Sequence, residues 1–242
     1  MSVAKARGPK AQRIEPERLL EAAQAVFARD GLQAASMRAI AREAGCDPAL
    51  IYYHFENKEA MFTAILDRKF PRVLRHFTAV LQESQEKHSA ERLWGLLGAI
   101  HEHLAQDPGF RSLVRGELAR GAEGIQDAIA IRIRPVFTTL LGVFREGMAK
   151  GEIRRDLVAP LGGFFFMRLY MEILDLVPIM SARVAGIPPD LVLPLAKLAW
   201  FDLFWRGVAA NPEECLPFLA SVRASQQAAM DQIQLIVGSL PC

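Results

Sequence analysis

Ser36-Met37-Arg38-Ala39-Ile40-Ala41-Arg42-Glu43-Ala44-Gly45-Cys46-Asp47-Pro48-Ala49-Leu50-Ile51-Tyr52-Tyr53-His54-Phe55 is the stretch on which the reading of this chain turns. Ser36 is a good N-cap, because its hydroxyl can accept from the unpaired N–H groups of a first helical turn, and the helix it opens runs from Met37 to Ala44 before Gly45 ends it. Asp47 caps a second short helix with Pro48 at its first position, and Ala49 to His54 fill the body before Phe55 and a break at Glu56. Working outward, a longer helix precedes the pair: it follows Pro16, carries Leu19, Leu20, Ala23, Val26 and Phe27 on one stripe, and stops at Asp30-Gly31. Another follows, capped by Asn57 and continued by Ala60, Met61, Ala64, Ile65 and Arg68 beyond residue 66. Two short helices joined by Gly45-Cys46 and flanked by longer ones form a helix-turn-helix, whose second helix suits a major groove. On spacing alone the pattern also fits an ordinary four-helix bundle.

The remaining residues place this module in an all-α chain. Of 242 residues, 51% are hydrophobic and 23% charged, which supplies a core and excludes disordered and fibrous classes. Apolar residues recur at helical spacing throughout, with no alternating runs bounded by hairpin turns. The net charge of +2 does not mark a nucleic-acid binder, but residues 1–72 hold 12 Lys/Arg against 9 Asp/Glu while the rest hold 17 against 18. Lys5, Arg7, Lys10 and Arg13 stand without an acid in the first thirteen residues, which read as a mobile cationic arm. Cys46, Cys215 and Cys242 are too scattered for a disulfide framework or a zinc cluster. Glu15, Glu17, Arg18 and Glu21 interrupt any apolar run behind the basic start, so a cytoplasmic protein is expected rather than a secreted one. The most apolar window, Leu157 to Met180, contains Arg168, Glu172 and Asp175 and reads as a buried helix rather than a membrane span.

Gly31-Leu32-Gln33-Ala34-Ala35-Ser36-Met37-Arg38-Ala39-Ile40-Ala41, Ala44-Gly45, Leu50-Ile51-Tyr52-Tyr53-His54-Phe55 and Asn57-Lys58-Glu59 together strongly resemble the DNA-binding domain of TetR/AcrR-type transcriptional regulators. The resemblance spans about residues 14–66. It implies a three-helix bundle with helix-turn-helix, followed by a larger all-α domain that binds an effector and forms a homodimer, so that two modules read a palindromic operator in double-stranded DNA. The implied organisation is a basic arm at 1–13, the DNA-binding domain at 14–66 and the effector and dimerisation domain at 67–242. By the same resemblance the chain is a repressor; neither a cofactor, a metal nor a membrane is expected. Weaker agreement continues in Gly147, Gly151-Glu152-Ile153-Arg154, Asp156-Leu157 and the aromatic stretch from Trp200 to Trp205.

Carried onto this sequence, the resemblance makes Arg38 the leading base reader. A bidentate pair with a guanine edge gives about 1–3 kcal/mol of discrimination, and the alternatives are a phosphate contact or a salt bridge to Glu43 or Asp30. Ser36 belongs to the same DNA-facing set. Ala49, Leu50, Tyr53 and His54 match groove-facing positions, with His54 suited to a phosphate, a base or simply a backbone carbonyl, while Ile51 and Phe55 anchor the helix. The hydroxyls of Tyr52 and Tyr53 suit phosphate oxygens, and one of the two is expected to be partly buried. Lys58, in the first turn of the fourth helix, suits a phosphate, and Lys10 and Arg13 suit the backbone or the minor groove.

From about Phe70 the sequence predicts helices over 73–87, 90–105, 109–121, 125–149, 157–180, 190–209 and 213–237, with Pro135 kinking or dividing the fourth of these. Phe164, Phe165, Phe166, Met167, Tyr170 and Met171 spread over more than one helix face, as do Leu198, Trp200, Phe201, Leu203, Phe204 and Trp205, so each helix needs cover on two sides. Candidate effector residues are His103, Phe137, Phe165, Phe166 and Tyr170, for a hydrophobic or amphipathic small molecule. Candidate dimer residues are Phe164, Met171, Leu198, Phe201 and Trp205. His101 and His103 diverge by about 200° on a helix, which argues against a shared metal. Arg132 and Arg134 suit either an acidic ligand or a salt bridge. There is no Gly-rich phosphate loop, nucleophile elbow or metal spacing, so an enzyme is not expected. The competing class is a DNA-bound architectural or partner-binding protein without a small-molecule inducer.

Overall fold

The computed structural model describes residues 15–121, 124–182 and 186–238, and side chains up to residue 235. The described residues form helices α1 (Pro16–Asp30), α2 (Met37–Ala44), α3 (Pro48–His54), α4 (Lys58–Glu83), α5 (Ser89–Gln106), α6 (Pro108–Ala119), α7 (Gln126–Lys150), α8 (Ala159–Met180), α9 (Pro189–Val208), α10 (Leu216–Ser225) and α11 (Gln227–Gly238). They contain no strand; a single antiparallel bridge joins Ile153 to Ala209. None of their helices is long and apolar enough to cross a membrane.

The chain divides into two compact units, one holding the described residues up to Pro71 with Asp107–Arg132, the other Arg72–Gln106 with the described residues from Ile133 onward. In the first, Leu19, Val26, Phe27, Leu32, Ile40, Ile51, Phe62 and Leu66 are fully buried, with the Phe27 and Phe62 rings 6.3 Å apart. Here α6 packs on α1 and is fastened at both ends. At its start Asp107 caps Phe110 N–H at 2.9 Å and accepts from Gln24 Nε2 at 2.8 Å and Lys69 Nζ at 2.5 Å. Burial works to raise the Asp107 pKa, but the Lys69 ammonium and these donors outweigh it and hold the carboxyl below its ordinary value. At its other end the buried Glu117 carboxylate accepts the Leu32 N–H at 2.9 Å and pairs with Arg120. The Arg120 guanidinium lies 2.9 Å from where a Cβ would stand on Gly31, whose φ is +81°, so geometry and space both require glycine there.

The second unit is built around an aromatic layer. Phe166 of α8 meets Trp200 and Phe204 of α9 with ring centroids 5.1 and 5.2 Å apart, and Trp200 stacks on Phe204 at 5.1 Å. Gly147 sits where a Cβ would be 2.6 Å from Ser89 Oγ and 2.7 Å from Ile153 Cδ1, so any side chain there displaces the turn after α7.

Four expectations change. The helix expected at 73–87 is the second half of α4, which passes through Pro71, and α7 runs undivided through Pro135. Both prolines are exposed, so water can satisfy the carbonyl one turn back that each leaves free. Residues 213–237 resolve into a 3-10 turn at Pro212–Cys215 followed by α10 and α11, separated at Gln226. The helix expected to be buried, α8, is buried on one side only: Phe166, Tyr170 and Leu174 point inward while Leu161, Leu169, Leu176, Ile179 and Met180 are exposed.

Candidate nucleic-acid interface

The front module is fixed by local chemistry. Ser36 Oγ accepts from Ala39 N at 3.1 Å to start α2, and Gly45 ends it in the left-handed region at φ 69° and ψ 40°. Asp47 Oδ1 accepts from Ala49 N at 2.8 Å, with Pro48 at the first position of α3. Ile51 is fully buried and pins α3 to the bundle, while Phe55 is half-buried just beyond it. Ala49, Tyr52, Tyr53 and His54 are exposed and Leu50 is half-buried. Neither tyrosine is withdrawn into the bundle, contrary to the expectation for one of them: Tyr52 is 58% and Tyr53 82% exposed. Two tyrosines adjacent on one helix point about 100° apart, and a helix buried by a single side chain leaves both directions open. The His54 ring stands edge-on to Tyr53 at 5.0 Å.

Arg38 is exposed on α2, and no hydrogen bond or ion pair engages it among the described residues. Its two candidate acidic partners are held by another residue, since Arg29 bonds Asp30 at 2.9 Å and Glu43 at 3.3 Å. The Arg29 pKa is raised, first by its hydrogen bond to Asp30, and that bond lowers the Asp30 pKa. Lys58 Nζ donates to the carbonyls of Gln33 at 2.8 Å and Ala35 at 3.3 Å, tying the start of α4 to the turn before α2. Sequence reading missed this structural task, because a contact to backbone carbonyls leaves no trace in residue type. Between these helices the Cys46 thiol pKa is pushed up, first by burial and then by Asp47. Lys10 and Arg13 lie outside the described residues.

The effector and dimer candidates separate by depth. Phe166 and Tyr170 are fully buried in the aromatic layer, the Tyr170 hydroxyl 2.5 Å from His101 Nδ1. Phe137 is half-buried beside Gly163, and Phe165 is exposed next to Phe164, with ring centroids 5.9 Å apart. His103 Nε2 lies 3.2 Å from His76 Nδ1, and its pKa is lowered by burial first and by His76 second. His101 and His103 thus have different partners, and no group of three His, Cys, Asp or Glu among the described residues could hold a metal. Arg132 is engaged by Asp67 at 2.7 Å. Among the dimer candidates, Phe164 is exposed and Met171 half-buried, whereas Leu198, Phe201 and Trp205 are packed inside their own unit. The exposed apolar surface instead follows Leu161, Phe165, Leu169, Leu176 and Met180, a spacing of four and seven that was present in the sequence.

With this geometry in place, comparison with known proteins is decisive for the front module: residues 19–65 match the model of the bacterial regulatory proteins of the tetR family. Within those residues the chain is similar to TetR-family regulators. It is 29% identical to the HTH-type transcriptional regulator UidR of Escherichia coli K12 over 143 residues, which is 58% of this chain and 69% of that protein. It is 25% identical to the fatty acid metabolism regulator protein of Bacillus subtilis over 149 residues, 61% of this chain and 75% of that one. Its fold matches the ketosteroid transcriptional regulator KstR2 of Mycobacterium tuberculosis at a TM-score of 0.65 and 23% identity, over 82% of this chain and 97% of that one. It also matches Bacillus subtilis FadR, solved in complex with stearoyl-CoA, at 0.63 and 21% identity, over 80% and 99%. The matched residues include α2 and α3, and the relatives named here are transcriptional regulators.

Proposed function

We propose that this chain is a TetR-family regulator, a homodimeric repressor that occupies a palindromic operator and is released by a small hydrophobic or amphipathic effector. The observation that carries the reading is the unpaired Arg38 guanidinium beside the exposed face of α3, held on helices whose caps are all satisfied. Arg38 takes the base-reading role, Ser36, Ala49, Leu50 and His54 the groove contacts, Tyr52, Tyr53 and Lys58 the phosphates, and Lys10 and Arg13 the flanking backbone. The exposed apolar face of α8, with Phe164 and Phe165 on it, supports pairing of two copies, since a contiguous apolar patch of this kind is uncommon on a monomer. Relatives named for fatty acid and ketosteroid regulation, one of them holding stearoyl-CoA, support an apolar or amphipathic effector.

The effector acts by population shift, favouring a dimer whose two α3 helices no longer match successive major grooves, for which a few kcal/mol of differential binding suffices. Long-chain acyl-CoAs, steroids and hydrophilic controls are screened by thermal shift, and each stabilising compound is then titrated into the operator complex. The reading expects a stabilising apolar compound to weaken operator binding. A compound that stabilises the protein and leaves operator affinity unchanged contradicts it.

A further inference from the structure

In the second unit one ammonium has no counter-charge. Lys197 of α9 is half-buried, and its Nζ stands 4.4 Å from the centre of the Trp94 ring of α5. No acid pairs with it among the described residues, whereas Arg92, Arg168 and Arg206 of the same unit each reach a carboxylate. Burial lowers the Lys197 pKa from its ordinary value, and no carboxylate is close enough to offset the loss of water. The face of an indole attracts a cation through its quadrupole but carries no net charge, so the positive charge stays unmet.

The neighbours of Lys197 close a ring around an open spot on α5. Trp94, Gly98 and His101 follow one another at spacings of four and three, which places them on one face of the helix. Gly98 is half-buried, and a Cβ there would meet no heavy atom within 4 Å, so the space above the helix is open. His101 Nδ1 lies 2.5 Å from the Tyr170 hydroxyl, and the Tyr170 ring is 5.6 Å from that of Trp200. Trp200 leads back to Lys197 one turn along α9. The open space is thus bordered by aromatic rings, with one positive charge on its edge. Such a border suits an apolar body, and a single ammonium suits a single negative charge. A coenzyme A head group carries several negative charges and calls for several cations, of which this ring supplies one.

We propose that the effector is an apolar monocarboxylate, seated over Gly98 between the rings with its carboxylate on Lys197. The assignment rests on the effector reading for what the ligand does to the operator, while its binding is measured separately. Straight-chain carboxylates from hexanoate to laurate are titrated into the full chain by calorimetry, with the matching alcohols and coenzyme A thioesters in parallel. The best carboxylate is expected to bind about tenfold tighter than its alcohol, the difference that a bond to a charged group supplies, and tighter than its thioester. Lys197→Met keeps much of the side-chain length without the charge. It is expected to remove that preference, to leave alcohol affinity unchanged and, having lost an unpaired charge, to melt no lower than the parent. Gly98→Leu fills the open space and is expected to abolish carboxylate binding without lowering the melting temperature.

Carboxylates that bind no better than their alcohols overturn the proposal. So do thioesters that bind in preference to carboxylates, or a Lys197→Met or Gly98→Leu protein that keeps the parent's carboxylate affinity. Operator binding separates this site from the release mechanism. A carboxylate that binds through Lys197 and leaves the operator complex intact contradicts release and keeps the site. A neutral compound that releases the operator equally from the parent and Lys197→Met, with no carboxylate preference in either, keeps release and removes the site.

Discussion

Two helices of this protein present exposed side chains for different reasons. In α3 a single buried residue, Ile51, fixes a short helix whose exposed face carries Tyr52, Tyr53 and His54, and local bonds close the turns on either side of it: Ser36 to Ala39 and Asp47 to Ala49 before it, Asn57 to Ala60 at 2.7 Å after it. In α8 the inward residues Phe166, Tyr170 and Leu174 belong to a layer shared with α9, and the exposed face is apolar. The first face is polar and presented on a scaffold that is complete within the chain. The second leaves apolar surface in water, which the proposed pairing of two copies would cover.

Substitutions that sharpen this contrast begin with the largest effect. Trp205→Ala removes a fully buried indole that packs edge-on against His88 and is expected to destabilise the protomer by about 3–5 kcal/mol, read by denaturant unfolding. Leu176→Ser, on the exposed side of α8, is expected to leave protomer unfolding nearly unchanged and to shift sedimentation toward the monomer. Equal destabilisation by both would erase the distinction between the two sides of α8. Glu117→Ala leaves the buried Leu32 N–H without its acceptor and is expected to cost about 1–3 kcal/mol, with faster hydrogen exchange at Leu32 than at Ile51.

Within the front module, Arg38→Ala is expected to weaken operator binding by about 1–3 kcal/mol and to relax base preference, with no change in melting temperature. Lys58→Ala differs in kind. Loss of its bonds to the Gln33 and Ala35 carbonyls is expected to lower stability by about 0.5–1.5 kcal/mol, and loss of its charge to weaken all sequences uniformly with a shallower salt slope. The smallest effect concerns Asp107. Its folded pKa lies below the unfolded value of 3.8, so its stabilisation is complete above that pH and disappears as pH falls through the folded value. Asp107→Asn is therefore expected to flatten the acid limb of the melting temperature, and an unchanged limb would show that its bonds to Lys69 and Gln24 do not stabilise the folded state.

The same contrast explains what could be read from the residues alone. The helix-turn-helix was legible because caps and stops act within four residues: Ser36, Gly45, Asp47 and Pro48 each announce a backbone event at their own position. Depth in the second unit was less legible, because the inward side of a helix depends on what packs there. Trp205 and Phe201 look equally suited to a core and to an interface until α5 and α8 are in place, and both prove to be core. The four-residue spacing from Leu161 to Leu169 did mark the exposed face of α8, but the many apolar residues around it masked the signal. Bonds between distant residues, such as Glu117 to Leu32 and Lys58 to Gln33, join polar groups with no periodicity to reveal them.

The central claim is that two copies of α3 are held at a fixed separation on duplex DNA, and a chemical footprint on DNA flanking the coding region measures this most directly. The account predicts two protected major-groove patches centred about 34–36 Å apart on one face of the duplex, related by a twofold axis. A single patch, or protection without such spacing, would contradict it.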